Sequence, residues 1–578
     1  ASYNAAFGKN ALKVNTTGTK NTALGTFSLL SNSTGNWNTA SGYRALQANT
    51  TGSYNTASGP SSLYSNTTGI SNTANGIFTL YSNTTGCLNT ASGYSALYAN
   101  TTGNLNTAIG ICALYANTTA GGNTALGGKA LVANTTGAGN TASGYGALCA
   151  NTTGTLNTAS GQFSMRGNST GTENTASGYQ ALCANTTASF NTAFGSRSLR
   201  VNTTGACNDA FGWCALTTNT TGGYNTAMGL WSLKLNTTGC KNASVGSHSL
   251  QSNTTGCFNT TIGYQSLQAN TTASYNTAVG ACALFANTTG PYVTGLGYSA
   301  LKSNTTGAYN TAVGYSLVNN TTGASNAGFG TDTLNQNTTG SYNTAIGIGS
   351  LNVNTTANAN TTIGYASLSK NTTGTHNTAS GYKAMECNTT GNWNTASGKY
   401  ALRYNTTASY NTAVGGCSLF ANTTGAANTA VGKDALKANT IGDDNVGIGQ
   451  RALLSNTTGS RNTAIGKNAL KANTTANNNT AIGQQSLCSN TTGSENTGVG
   501  RNTLKSTTTG ASLVGVGYEA LAANTTGIRN TALGVYSQRY TSTGQFNTSS
   551  GYMSLCSNST GCYNTAFGDL SLRNNTTA

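Results

Sequence analysis

Charge is what this sequence has least of. Asp, Glu, Lys and Arg together make 6% of the 578 residues, against about 25% in ordinary globular proteins. The 26 basic residues outnumber the ten acidic ones and leave a net charge of +16. A nucleic-acid binder needs a dense basic stripe that neutralises many phosphates. The basic residues here are spread too thinly for that, which argues against nucleic acid as a partner. Histidine occurs only at His248 and His376, and the acidic residues are scattered apart from Asp443 and Asp444. That leaves no Ser/His/Asp or paired-carboxylate arrangement and no metal-ligand spacing. The expectation is a non-enzymatic chain with no catalytic residues, cofactor or metal. No apolar run reaches the length of about 18 residues that a membrane-spanning helix requires. Only two prolines, Pro60 and Pro291, are present, too few for a Pro-rich disordered tract.

What fills the space is a repeat of 17 residues, N-T-A-x-G-x-x-[AS]-L-x-x-N-T-T-G-x-x, as in Asn55 to Ser71. Copies begin at Asn4, Asn21 and Asn38 and run to Asn564, a span of 560 residues that is one short of 33 whole steps. The shortened copy is Asn310–Ser325. The fifth position is Gly in all 34 copies, and the ninth is Leu in nearly all, with Met165 and Met385 as close substitutes and Gln538 as the clear exception. A disordered chain has no need of such a register, and a short fixed period marks a repeat architecture. Asn-Thr-Ala-x-Gly reads as a short strand closed by a glycine turn. The x-[AS]-L-x-x segment reads as a second strand or one helical turn, being too short for periodicity to decide. Asn-Thr-Thr-Gly is turn chemistry. No such unit buries its Leu alone, so stacking must put Leu on Leu and Asn on Asn. The fold expected is all-β: a β-solenoid of about 34 rungs, one repeat per rung, over residues 1–578 as a single uninterrupted solenoid with uncapped ends. The alternative is a rung of two repeats. Basic residues at position ten favour the shorter rung. Lys437, Lys471, Lys505, Arg539 and Arg573 recur every 34 residues, and would stack directly and repel in a two-repeat rung.

Three features concern chemistry. The Asn-Thr-Thr segment forms Asn-x-Ser/Thr in 31 copies, making Asn49, Asn66, Asn83 and Asn100 candidate glycosylation sites. An Asn column bonding its neighbours explains the same residues structurally, and branched glycans at ~5 Å spacing would crowd. Sparse N-glycans, or small sugars on the outward threonines Thr51 and Thr68, fit better. The 14 cysteines fall mostly at variable positions, expected to face outward, and in such number they suit an oxidising compartment. Cys240 and Cys257 share position sixteen of adjacent copies, where stacking places their Cα atoms ~5 Å apart, inside the disulfide window. Regular threonine also suggests a face that matches an ice lattice. Tyr43, Tyr54, Trp37 and Trp393 occupy positions six and seventeen and are expected outside, available for lateral or carbohydrate contacts.

The consensus of Asn38 to Gly52 resembles the tandem repeats in shafts of phage and giant-virus tail fibres and of bacterial surface proteins. More distantly, Asn-Thr-Ala-x-Gly is similar to the head β-roll of trimeric autotransporter adhesins, although the period here is longer. The resemblance implies an extracellular or virion-surface fibre that self-associates end-to-end, laterally or as a trimer. The leading expectation is therefore a structural fibre or filament at the cell surface, carrying glycans. The alternatives are the shaft of a tail fibre or adhesin that binds a host receptor and, third, an ice-binding solenoid.

Overall fold

The computed structural model describes residues 3–577. The chain forms two compact units, Ala1–Tyr292 and Val293–Ala578. The first carries strands β1 (Ala5–Phe7) to β17 (Thr277–Val279), and the second β18 (Thr294–Leu296) to β34 (Thr565–Phe567). Within each unit successive strands pair in parallel, one repeat apart. In the first unit Thr56, Ala57 and Ser58 of β4 face Thr73, Ala74 and Asn75 of β5. In the second, Thr412, Ala413 and Val414 of β25 face Thr429, Ala430 and Val431 of β26. This register fixes one 17-residue repeat per rung and excludes the two-repeat rung. Each unit is thus an all-β solenoid, and no described residue is helical.

The strand is short because Gly ends it at once. Gly59 has φ +131°, and a Cβ there would lie 2.6 Å from the carbonyl oxygen of Gly76 in the next rung. Backbone therefore stacks directly on backbone at this corner, which only glycine permits. The x-[AS]-L-x-x segment is neither of the elements expected of it. It is a run of turns in which left-handed residues recur: Ser61 at φ 53° and Leu63 at φ 50°, with Ser71 at φ 58° closing the rung. A left-handed conformation costs an ordinary residue about 1–2 kcal/mol. It is held here by bonds to both neighbours. Ser61 N donates to Tyr43 O in the rung before (2.7 Å), while Leu63 N and Ser65 N donate to Thr79 O (2.9 Å) and Tyr81 O (3.0 Å) in the rung after.

The core of a rung is small. In the Asn55 rung it consists of Ala57, Ser62, Leu63, Asn55 and Asn66, all fully buried. The two asparagines build separate columns. Asn55 Nδ2 donates to Asn38 Oδ1 at 3.2 Å, and Asn66 Nδ2 donates to Asn49 Oδ1 at 2.8 Å. Both also donate to the carbonyl of Gly69, at 2.9 and 3.0 Å, so one backbone oxygen ties the columns together. Buried amides are tolerated because every partner is supplied by the same residue one rung away.

The shortened copy shows which residue is dispensable. Between Gly314 and Leu317 only Tyr315 and Ser316 remain, and the left-handed residue before the Leu is the one missing. Leu317 stays fully buried and its N–H still reaches Thr333 O at 3.0 Å. Strand register resumes with Thr311 opposite Ala327.

The columns are interrupted late in the second unit. Thr507 and Thr541 replace the second Asn, Leu513 the first Asn, and Gln538 the Leu, and all four side chains are buried. The hydroxyls of Thr507 and Thr541, the Oδ1 atoms of Asn490 and Asn524, and Gln538 Oε1 are buried without a hydrogen-bond partner.

Candidate functional site

The rung divides the sequence-predicted glycosylation residues into two groups. Asn49, Asn66, Asn83 and Asn100 are fully buried. Asn83 is representative: Nδ2 donates to Asn66 Oδ1 (2.8 Å) and to Gly86 O (2.9 Å), and Oδ1 accepts from Asn100 Nδ2 (2.8 Å). Both amide hydrogens that a glycosyl bond would have to compete for are spent inside the solenoid core. Thr51 and Thr68 are exposed. The threonine just before each is different: Thr50 and Thr67 are half-buried and their hydroxyls donate to Thr67 O and Thr84 O at 3.1 Å. Of the three residues in Asn-Thr-Thr, one builds the core, one joins rungs, and only the last presents a hydroxyl to solvent.

Cys240 and Cys257 come together. Their Sγ atoms are 2.9 Å apart as free thiols, and Cys240 N donates to Cys257 Sγ at 3.0 Å. The hydrogen bond to Cys257, then burial, push the Cys240 thiol above its ordinary pKa. The other cysteines are less outward than their variable positions suggest. Cys214 and Cys556 are buried and only Cys562 is exposed. Burial also pushes the Cys149, Cys183, Cys387 and Cys488 thiols up, so they are poor nucleophiles at neutral pH.

The outward aromatics stack along the rungs. Trp37 lies parallel to Tyr54 with centroids 6.5 Å apart, and Lys20 Nζ sits 3.9 Å from the Trp37 ring. Tyr43 meets Phe27 edge-on at 6.2 Å. A run that the sequence reading passed over, Tyr64, Tyr81, Tyr98 and Tyr115 at position ten, stacks at 4.9, 5.1 and 5.1 Å. These spacings match the ~4.8 Å between strands, so the rings follow the backbone repeat. Stacked in this way they turn their edges, not their faces, to solvent. The two histidines are absorbed into the same pattern. His376 stacks on Trp393 at 4.0 Å, and His248 packs against Trp231 at 4.9 Å with Nδ1 2.7 Å from Ser247 Oγ. Among the described residues no three His, Cys, Asp or Glu side chains gather as a metal site.

The acidic residues that remain serve locally. Glu386 takes Arg403 Nε at 2.7 Å and Lys383 Nζ at 3.1 Å. Burial raises its pKa, but the bonds from Arg403 and Lys383 outweigh that and hold the carboxyl below its ordinary range. Asp443 Oδ1 accepts from Ala426 N at 2.7 Å.

A second feature not picked out in the sequence is the fourth position of the repeat. From β2 (Thr22–Leu24) onward each strand buries its middle residue and turns the outer two toward solvent, whereas all three residues of the terminal strand β1 are exposed. The second outward residue is Ser in some rungs and aliphatic in most others, with Phe7, Phe194, Phe211, Phe329, Phe567, Met228 and Asn75 as the exceptions, and across the 34 copies it is never charged. In the second unit Ser380 and Ser397 give way to eight consecutive aliphatic residues, Val414 through Leu533, before Ser550. The signal was a block of like residues at one position, visible only once the strand's two faces are assigned.

No protein-family model and no curated protein matches the chain. No helix among the described residues is long and apolar enough to cross a membrane.

Proposed function

We propose that this chain is a non-enzymatic structural protein that builds a fibre at the cell surface or outside the cell, with small sugars on the exposed threonine of each Asn-Thr-Thr. The observation that carries the reading is the closure of each rung on its neighbours. Asn, Leu and Gly make the same contacts from rung to rung, so the sequence adds length without adding a new kind of site. Such a chain makes extent and a regular surface, which is what a fibre needs. Thr51 and Thr68 support the sugar assignment because they offer hydroxyls that the fold does not use. The low charge supports it too, since neutral hydroxyls and sugars must then hold the water. The alternative reading is the shaft of a tail fibre or adhesin, for which the same rung would serve, with the receptor-binding role lying outside the rung chemistry.

Intact mass and imaging of the same native sample test the reading. Mass well above 58.2 kDa, sugars mapped to Thr51 and Thr68, and long filaments are expected. Bare mass with discrete short rods would overturn it in favour of a shaft. Thermal hysteresis in freezing solutions would move it to the ice-binding alternative.

A further inference from the structure

The outer face of β25 (Thr412–Val414) to β32 (Thr531–Leu533) is built from two rows. One row is Thr, with Val446 and Val514 in two rungs. The other is wholly aliphatic. Val414, Ile448, Ile465 and Ile482 are each 38% exposed, Val516 is 37% and Leu533 41% exposed. No charged residue stands in either row. The charges lie on two rims, Lys433, Lys467 and Arg501 just past the corner glycine on the aliphatic side, and Asp444, Arg461, Glu495 and Arg529 just before the first asparagine on the threonine side, all exposed. A sheet face left to solvent ordinarily carries polar side chains, and apolar patches beyond a few hundred Å² mark contact surfaces. Eight rungs at ~4.8 Å make this face ~38 Å long, and two rows some 7 Å apart make it ~10 Å wide.

We propose that this face is the lateral interface between two copies of the chain, aliphatic row on aliphatic row. The proposal rests on the fibre reading and names the surface through which fibres pair. Three observations favour a second copy over other occupants. The rungs of an identical chain have the same spacing, so the rows match along all eight strands with no accumulating mismatch. Pairing two such faces covers ~380 Å² on each copy, ~760 Å² in total, the size of a weak contact for one block that gains strength where a fibre repeats it chain after chain. The block is also bounded, by Ser380 and Ser397 before it and Ser550 after it, so it has the finite length of a patch. A two-fold axis parallel to the stack and through the aliphatic row sets each copy's rim cations against the partner's threonine row, whose own rim carries both signs of charge, and not against one another.

The test compares the full chain with the variants Ile448→Lys/Ile482→Lys, Ile448→Ser/Ile482→Ser and Ser380→Lys. Serine already occupies this position at Ser397, so the serine variant keeps the fold. Sedimentation velocity gives the pairing constant, and mass per length of any filaments gives the number of chains side by side. Paired wild-type chains are expected, with pairing weakened roughly a hundredfold or more by the two lysines, because a charge buried without a partner is strongly penalised. The serine variant should weaken pairing by a smaller factor, and Ser380→Lys should leave it unchanged. Equal pairing in the wild type and the double lysine variant would overturn the proposal, as would wild-type filaments one chain wide. Filaments of single width would leave the fibre reading standing while this interface falls. Paired chains that never extend end-to-end would do the reverse.

Discussion

Replacing Thr507 with Asn should strengthen the second unit. Thr507 sits in the second asparagine column, and its hydroxyl is buried without a partner, as is Oδ1 of Asn490 in the rung before. Asparagine at this position in the intact part of the column shows what is missing. Asn473 Nδ2 donates to Asn456 Oδ1 at 2.7 Å and to Ala476 O at 3.1 Å, and its Oδ1 accepts from Asn490 Nδ2 at 2.9 Å. The variant Thr507→Asn supplies the equivalent three bonds to Asn490 Oδ1, Gly510 O and Asn524 Nδ2. At about 1 kcal/mol net per bond, with relief of an orphaned acceptor in addition, the gain is about 2–4 kcal/mol. In a stacked repeat that gain is local, because stability is a sum of rung and neighbour contributions. Hydrogen exchange is therefore the right assay. The amides of Thr491 and Thr508, which donate across this boundary at 2.9 and 3.0 Å, should gain protection by roughly thirtyfold or more. Amides far from the rung should not change. The reciprocal variant, Asn473→Thr, should lose a similar factor around its own rung. Unchanged or lower protection in Thr507→Asn would refute the view that the amide columns hold the rungs, and would leave the stacked Leu and Gly as the source of order.

Four further outcomes follow from the same geometry. Gly415→Ala should destabilise its rung by about 3 kcal/mol or more, since φ is +127° and a Cβ would lie 2.7 Å from the Gly432 backbone, whereas the adjacent Gly416→Ala, with nothing within 4 Å, should be nearly neutral; thermal unfolding of the pair decides it. Leu63→Ala removes a fully buried side chain and should cost about 3–5 kcal/mol locally, read by exchange of Leu63 and Ser65 amides. The Glu386 cluster should be pH-dependent. Its carboxyl is held below the ordinary range, so its contribution is complete above the unfolded carboxylate pKa and disappears as pH falls through the lower folded value; Glu386→Gln should abolish this acid-side loss of exchange protection around Cys387. Cys240 and Cys257, with sulfurs 2.9 Å apart, should close to a disulfide when a glutathione disulfide takes up the two electrons and two protons; intact mass should fall by two hydrogens, and Cys257→Ser should show no such loss.

The rung was largely legible in the sequence because its constraints repeat. Thirty-four glycines at one position announce a corner that admits no side chain, and Leu and Asn at fixed places announce a core that only stacking completes. The alternation of basic residues at position ten also selected the single-repeat rung correctly. What escaped was the segment around Leu63. Nothing in a leucine signals a left-handed backbone, and sequence pattern cannot register a conformation imposed by bonds from the rungs on both sides. Asn66 posed a different problem. The same three letters specify a buried amide column and a glycosylation sequon, and only burial separates Asn66 from Thr68. The aliphatic row escaped because serine and assorted apolar residues alternate there in blocks, so the position looks merely variable until the strand has an inside and an outside.

The side-chain bonds of both asparagine columns run one way: the Nδ2 of the later repeat donates to the Oδ1 of the earlier one, as from Asn55 to Asn38 and Asn72 to Asn55 in the first column and from Asn66 to Asn49 and Asn83 to Asn66 in the second. Each column is therefore a line of amide dipoles pointing along the stack, reinforced as hydrogen-bonded chains polarise one another. A unit so built has a positive and a negative end although its surface charge is sparse. Two copies lying side by side in opposite directions cancel these dipoles, and two lying in the same direction add them. A filament of parallel chains would be electrically polar along its length, and would orient in an applied field.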